Sequence, residues 1–398
     1  MRIGIDASTW SNKRGFGRLT RELLKALITL DYENNYLLFV DRNTALTNDL
    51  SDDATVIVAP THVSPMEAAS ASGRRSLRDL FTMTQTVWKH ELDLFFYPAV
   101  YSYYPIFNRA KVIVTIPDMT PERYPSEVFP EKKLRLFWKL KQYLAIQQAH
   151  LILTISEYSK QDILTFCKVP ESRVSVVSCA PNTDFTSLPH DSKMVQALHR
   201  YELDSSTRFL LYVGGISPHK NLRLLVAVYQ QLTSDPMFSD VKLLLVGDYR
   251  HDSFYSDYPT LQALVNKLRL ENKVVFTGYI EDKDLAYLYN AASLLVFPSL
   301  QEGFGLPAVE AMVCGCPVAA SNLGSLPEVL GDAGCFFDPY NKEEMLGVIK
   351  KVLSDNDLRE SMKSKGLDRA KQFSWEKAAR DLLSIFHNVV DGNQRQRC

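Results

Sequence analysis

Residues 297–312 read Phe-Pro-Ser-Leu-Gln-Glu-Gly-Phe-Gly-Leu-Pro-Ala-Val-Glu-Ala-Met. The stretch leaves an apolar run, Leu294–Phe297, turns through Gly303 and Gly305, and opens a helix near Leu306. A strand that feeds a helix through a glycine turn is half of a βαβ unit. The same alternation extends outward in both directions. Other apolar runs in the second half are Phe209–Val213, Lys242–Val246, Val274–Thr277, Pro317–Ala320 and Cys335–Phe337. In the first half they are Ile3–Ile5, Tyr36–Val40, Val56–Val58, Leu94–Tyr97, Val112–Ile116, Leu151–Ile155 and Val174–Val177. Longer amphipathic segments separate them. The runs are nearly all apolar rather than alternating, as strands of a parallel sheet covered on both faces must be. The chain is therefore expected to be α/β, with two doubly wound, Rossmann-like domains.

The pattern lapses over Ser187–Ser206, through Leu-Pro-His-Asp-Ser-Lys and Asp-Ser-Ser-Thr, which places the linker there. The expected domains are residues 1–190 and 205–375, with a final segment 376–398 whose helix packs back on the first domain. Ligands of open parallel sheets bind beyond the carboxyl ends of the strands, so two such domains are expected to line one central cleft. With 398 residues, 46% hydrophobic and 23% charged, the chain can fill full cores. A formal net charge of -1 lacks the basic excess of a nucleic-acid binder. The opening Met-Arg-Ile-Gly-Ile-Asp reads as a buried strand rather than a signal peptide. No apolar run approaches the roughly 18 residues that span a bilayer. A cytoplasmic location is expected, with the inner face of the membrane as a variant of it. Cys314 and Cys316 flank Gly315 between an apolar helix and an apolar strand and read as core residues, not metal ligands.

A helix start at Leu306 offers unpaired backbone N–H groups and partial positive charge. Glycines let a phosphate approach those groups closely. Glu302 before the helix and Glu310 within it can each grip sugar hydroxyls on either side of a diphosphate, or they are two solvent-facing glutamates at an ordinary turn. Set around Gly-Phe-Gly-Leu-Pro, Glu302 and Glu310 resemble the paired-glutamate motif of retaining glycosyltransferase family 4. The resemblance continues through Cys-Gly-Cys-Pro-Val-Ala-Ala-Ser-Asn-Leu-Gly-Ser-Leu-Pro-Glu-Val and Gly-Asp-Ala-Gly-Cys-Phe-Phe-Asp-Pro. It also takes in Val-Gly-Gly-Ile-Ser-Pro-His-Lys-Asn at 213–221 and Leu-Leu-Val-Gly-Asp at 244–248, so that most of residues 208–375 is covered.

That resemblance implies the GT-B fold and a nucleotide-sugar donor, GDP- or UDP-linked, as substrate rather than a resident cofactor. It places Glu302 at hydroxyls of the transferred sugar and Glu310 at the ribose. The backbone of Gly303, Phe304, Gly305 and Leu306 would meet the diphosphate, and Lys220 would neutralise it. Gly214 and Gly215 belong to the same turn as Lys220. The run Thr277-Gly278-Tyr279-Ile280 is similar to the family's base-binding turn. An ammonium on a strand-to-helix turn can indeed stabilise charge developing on a leaving phosphate. Many relatives carry an arginine where Gly215 stands, so Arg14 or Arg18 is a candidate replacement cation. His219 reads as a turn residue rather than a general base. Asp282-Lys283-Asp284 reads as helix capping rather than a metal-binding pair, and no metal requirement is expected.

In the first half, Ser11-Asn12-Lys13-Arg14-Gly15-Phe16-Gly17-Arg18 follows the first strand, and the resemblance puts Gly15 and Gly17 near donor phosphate and acceptor. Pro117 replaces a histidine of many relatives. Asp118 beside it has a catalytic role or orders the loop. Tyr97, Tyr101, Tyr103, Tyr104 and Phe107 stack on sugar rings or pack into the core. Lys132, Lys133, Arg135, Lys139 and Lys141 line a helix with Phe137, Trp138 and Tyr143, a composition that suits an anionic bilayer surface or a solvated basic face. The resulting expectation is retaining transfer of a hexose, with mannose favoured, to a saccharide or lipid-linked saccharide. Domain closure would exclude water from the reacting groups. A GT-B sugar-nucleotide epimerase or phosphorylase, and a nucleotide-sugar-binding subunit without activity, are the alternatives.

Overall fold

The structure, a computed structural model, describes residues 1–12, 15–46, 50, 53–61, 76–129, 131–189, 191–204, 206–249 and 256–392. The chain divides into two compact units, Met1–Cys179 with Ser374–Cys398, and Ala180–Phe373.

The first unit carries seven strands: β1 Arg2–Asp6, β2 Asn35–Asp41, β3 Thr55–Ala59, β4 Leu94–Tyr97, β5 Lys111–Thr115, β6 Leu151–Thr154 and β7 Val174–Val176. Its longer helices are α1 Gly15–Leu30, α2 Leu77–Trp88, α3 Lys132–Gln148 and α4 Glu157–Cys167. The sheet order is β3-β2-β1-β4-β5-β6-β7, and every pairing is parallel. Side chains of β4 and β6 are wholly buried, which is why their sequences, Leu-Phe-Phe-Tyr and Leu-Ile-Leu-Thr, show no alternation.

The second unit carries α5 Ser192–His199, β8 Phe209–Val213, α6 Leu222–Thr233, β9 Lys242–Val246, α7 Tyr258–Lys267 and β10 Val274–Gly278. It continues with α8 Asp282–Ala291, β11 Leu294–Phe297, α9 Leu306–Val313, β12 Val318–Ser321, α10 Leu326–Leu330 and β13 Gly334–Phe337. Helices α11 Lys342–Ser354 and α12 Asn356–Ala370 follow. The six strands are parallel in the order β10-β9-β8-β11-β12-β13. Each of the thirteen apolar runs named above is a strand, shifted by at most a residue at its ends. The last helix, α13 Trp375–Asp391, packs on α1 of the first unit and brings Phe386 edge-on to Phe96, ring centroids 5.4 Å apart.

The division at Cys179 and Ala180 lies earlier than the linker expected at 187–206. Phe185 sits edge-on to Tyr289, and Asn290 bonds both Leu188 N (2.8 Å) and Thr186 O (2.9 Å), so this segment belongs to the second unit. The polar Asp191-Ser192-Lys193 that resembles a linker is a helix start: the Asp191 carboxylate accepts from Lys193 N and Met194 N and caps α5.

Both sheets reverse their strand order at one place, between β1 and β4 and between β8 and β11. Open α/β sheets hold ligands beyond the strand carboxyl ends at such a point. In the second unit the segments leaving β8 and β11 carry Lys220 and Glu302 respectively.

Candidate active site

Lys220 ends a short turn, Pro218–Lys220, and is followed by Asn221 in the left-handed conformation (φ 57). The Asn221 amide donates to Pro339 O at 2.7 Å, tying the turn to the segment after β13. The turn is also held from the β11 side, where Leu300 N donates to His219 O at 2.8 Å. Across this junction Lys220 Nζ meets Glu302 Oε1 at 2.7 Å, with side-chain exposures of 17% and 11%. The two charges compensate each other where little water reaches them.

Glu302 is fixed through its backbone. Ser325 N and Ser325 Oγ both donate to Glu302 O, at 3.3 and 3.1 Å. That approach requires glycine at 324, where φ is +69 and a Cβ would lie 2.9 Å from Glu302 N. Ser325 and Gly324 were not singled out from the sequence. Only the glycine, within a short turn ahead of α10, hinted at them.

Gly305 stands at the N-cap position of α9 in the left-handed region (φ +93), and no side chain bonds the helix start. A Cβ on Gly305 would lie 2.7 Å from Leu326 Cδ2. Phe304 is buried edge-on to Phe373, and Leu306 and Pro307 open the helix. The backbone of 304–306 therefore forms an uncapped, positively polarised turn beside Lys220 and Glu302, suited to an anion. Glu310, one and a half turns into α9, is only 2% exposed and accepts from Tyr289 Oη at 2.9 Å. Neither glutamate faces solvent, which removes the reading of two exposed glutamates at an ordinary turn.

Gly214, Gly215, Gly278, Tyr279 and Ile280, the other residues expected at a donor, lie at the same carboxyl edge. Gly214 N donates to Val246 O at 2.9 Å, and Gly215 O accepts from Tyr212 Oη at 2.7 Å. A Cβ on Gly215 would meet nothing nearer than Ser217 Oγ at 3.8 Å, so packing leaves room for a side chain there. Gly278 ends β10 at a register shift, and its carbonyl accepts from Gly247 N at 3.1 Å. Beside it Tyr279 is exposed and Ile280 buried, while Tyr249 and Tyr258 stack at 4.0 Å near Gly278.

His219 fits the turn residue expected of it. Burial, and then the Lys220 charge, push its imidazole down to about 3, and its buried Nδ1 has no partner. Asp282 and Asp284 do not cap α8. Asp282 accepts from Asn182 Nδ2 at 3.1 Å, Asp284 pairs with Arg200, and the helix has no side-chain cap. Capping looked right from sequence because acids favour a first helical turn, but here they tie α8 to its neighbours within the unit. Among the described residues no group of three or more His, Cys, Asp or Glu is placed to hold a metal.

In the first unit, Gly15 opens α1 and Gly17 is buried in its first turn. The Arg21 guanidinium, which drew no attention in the sequence, donates to Trp10 O and Asn12 O at 2.6 and 2.7 Å and holds the loop before α1. Arg18 lies on α1, and Arg14 falls outside the described residues. Asp118 Oδ1 accepts from Thr120 N at 2.8 Å and orders its loop. Tyr97, Tyr103 and Tyr104 are core residues, with Tyr97 Oη donating to Tyr104 O at 2.5 Å, so they do not offer faces to a sugar. Tyr101 packs at a tilt against Trp138 and Phe16, and Phe107 is exposed. Lys141 departs from the basic face expected of α3: it is buried, over the Trp138 ring, and donates to Tyr101 O at 2.9 Å.

Two parallel doubly wound units with paired glutamates and a lysine at a switch point define the class, a GT-B glycosyltransferase. Residues 197–369 match the profile "Glycosyl transferases group 1" and residues 13–185 match "Glycosyltransferase Family 4". The chain belongs to glycosyltransferase family 4. It is 35% identical to the O-antigen chain mannosyltransferase B of Escherichia coli over 278 residues, 69% of this chain and 70% of that protein. Sucrose-phosphate synthase from Thermosynechococcus elongatus superposes with a TM-score of 0.76 at 20% identity, covering 98% and 100% of the two chains. HepE from Anabaena, in complex with UDP and glucose, gives 0.73 at 19% identity, covering 96% and 98%. No helix among the described residues is long and apolar enough to cross a membrane.

Proposed function

We propose that this chain transfers a mannosyl residue, with retention of configuration, from a nucleoside diphosphate sugar to a saccharide or lipid-linked saccharide. The observation that carries the reading is the Lys220–Glu302 pair at 2.7 Å beside the uncapped start of α9. A diphosphate seated on that turn takes the Lys220 ammonium as counter-ion and leaves the Glu302 carboxylate to accept from hydroxyls of the sugar. In this reading Glu310, held by Tyr289, accepts from the ribose of the same donor. The O-antigen chain mannosyltransferase of E. coli supports mannose as the sugar, and GDP is proposed with it as the carrier.

In the transfer the C1–O bond to the diphosphate breaks while the acceptor oxygen bonds C1 on the same face. The acceptor proton passes to an oxygen of the departing diphosphate. Lys220 and the α9 backbone stabilise the charge that grows on that leaving group, so positioning and electrostatics supply the catalysis.

The test is turnover of purified chain with GDP-mannose, UDP-glucose and UDP-galactose against a mannose-terminated oligosaccharide, with the new linkage read by NMR. An α-linked mannose from GDP-α-mannose is expected. A β-linkage would sink retention, and turnover with UDP sugars only would sink mannose.

A further inference from the structure

Sixteen large apolar side chains are exposed among the described residues, and nine of them lie on one part of the first unit. On α3, Leu136 is 70% exposed, Leu140 55% and Tyr143 59%, with Phe137 and Leu144 alongside. The spacing i, i+4, i+7 puts the first three on one stripe, opposite the face that buries Trp138, Ala145 and Ile146. The helix is thus apolar on two sides, and only one is covered. A second exposed stripe, Leu77, Phe81 and Trp88, runs along α2. The loop 105–107 bridges the two helices: Thr84 Oγ1 donates to Pro105 O at 2.7 Å, and Gln148 Nε2 to Ile106 O at 2.6 Å. Phe107, 72% exposed, stands between them.

Charge identifies what covers this surface. Helix α3 contains five cations and no Asp or Glu, in a chain of net charge -1. Four of the five, Lys132, Lys133, Arg135 and Lys139, are exposed, as are Arg78 in the first turn of α2 and Lys89 just after its end. Leucines with Trp, Tyr and Phe, rimmed by long cationic side chains, match the boundary between headgroups and acyl chains. Rings and leucines enter the apolar layer there while ammonium and guanidinium groups reach lipid phosphates.

We propose that α2, α3 and the loop between them seat this unit on an anionic lipid bilayer. The apolar stripe centred on Leu136 and Leu140 enters the membrane interface, and Lys132, Lys133, Arg135 and Lys139 contact lipid phosphates. The surface stands independently of the sugar-transfer reading, because it uses no residue of the donor site.

The experiment is flotation of the full chain with vesicles of mixed phosphatidylglycerol and phosphatidylcholine, and with phosphatidylcholine alone. Binding to the anionic vesicles that weakens with salt is expected. Trp88 is the single exposed tryptophan of four, so its emission should shift blue on binding, and Trp88→Phe should lose the shift while still floating. Leu136→Glu with Leu140→Glu should lower the bound fraction about tenfold or more without moving the thermal midpoint. Lys132→Glu with Lys139→Glu should cost about tenfold and erase the preference for anionic lipid. Absence of wild-type binding, or equal flotation of the leucine variant, overturns the proposal. So does a concentration-dependent dimer that the leucine variant abolishes, which would assign the face to a second copy.

Discussion

Replacing Lys220 with alanine separates a structural ion pair from a catalytic one. In the resting protein the ammonium lies 2.7 Å from Glu302 Oε1, and both side chains are largely shielded. An exposed pair is worth about 0–1 kcal/mol, whereas breaking a fully buried one costs about 3–5 kcal/mol. This pair lies between, so Lys220→Ala is expected to destabilise the second unit by about 1–3 kcal/mol. The effect on turnover is larger. Losing one preorganised charge at the leaving diphosphate costs about 3–4 kcal/mol, or roughly 100- to 1000-fold in kcat. Release of nucleoside diphosphate at saturating donor gives kcat, and thermal unfolding gives the stability change. Glu302→Gln added to Lys220→Ala removes the uncompensated carboxylate, so stability should recover while turnover stays low. A folded Lys220→Ala protein with kcat within about threefold of wild type would show that the ammonium does not act on the leaving diphosphate.

Gly305→Val should destabilise by about 1–3 kcal/mol, because it combines a left-handed φ with a 2.7 Å approach to Leu326; thermal melts read this directly. Tyr289→Phe leaves the buried Glu310 short of one donor and should cost about 1–3 kcal/mol, with weaker nucleotide binding by calorimetry. Burial is the main reason the Glu122 carboxyl is raised to about 7, and Trp138 Nε1 donates to it at 2.6 Å. The folded state therefore holds a proton that the unfolded chain releases above its ordinary 4.5. Stability should fall as pH rises from about 4.5 to about 7 and then level, by up to about 3 kcal/mol. Glu122→Gln should remove that loss, matching wild type at pH 4 and exceeding it at pH 8 in thermal melts. Gly215→Arg should fold normally and tighten donor binding several-fold at low salt, an advantage that salt erases.

The strands were legible because burial on both faces of a parallel sheet demands continuous apolar runs, and all thirteen lie where Ile3–Ile5 through Cys335–Phe337 placed them. The boundary between the units was not, because Asp191 caps a helix with the same residue types that mark a linker. At the candidate site, where the structure brings Lys220 to Glu302, the sequence singles out Lys220, Glu302 and Glu310 through motifs that resemble those of family 4. It hid the groups that hold them: Tyr289 on a neighbouring helix, and Ser325, whose bond to Glu302 O forms across 23 residues of chain. Partners of that kind come from tertiary packing and leave no local spacing. The inward turn of Lys141 was hidden for the same reason, since its stem and charge are satisfied by Trp138 and Tyr101 O.

Calorimetric titration with GDP, UDP and ADP reads whether the β8 and β11 turns hold a donor diphosphate through Lys220 and Glu302. Wild type and Lys220→Ala should be titrated side by side. Wild type should bind GDP selectively, with affinity weakened about tenfold or more in Lys220→Ala. Equal GDP affinity in the two proteins, or binding of no nucleotide by wild type, would contradict that binding mode.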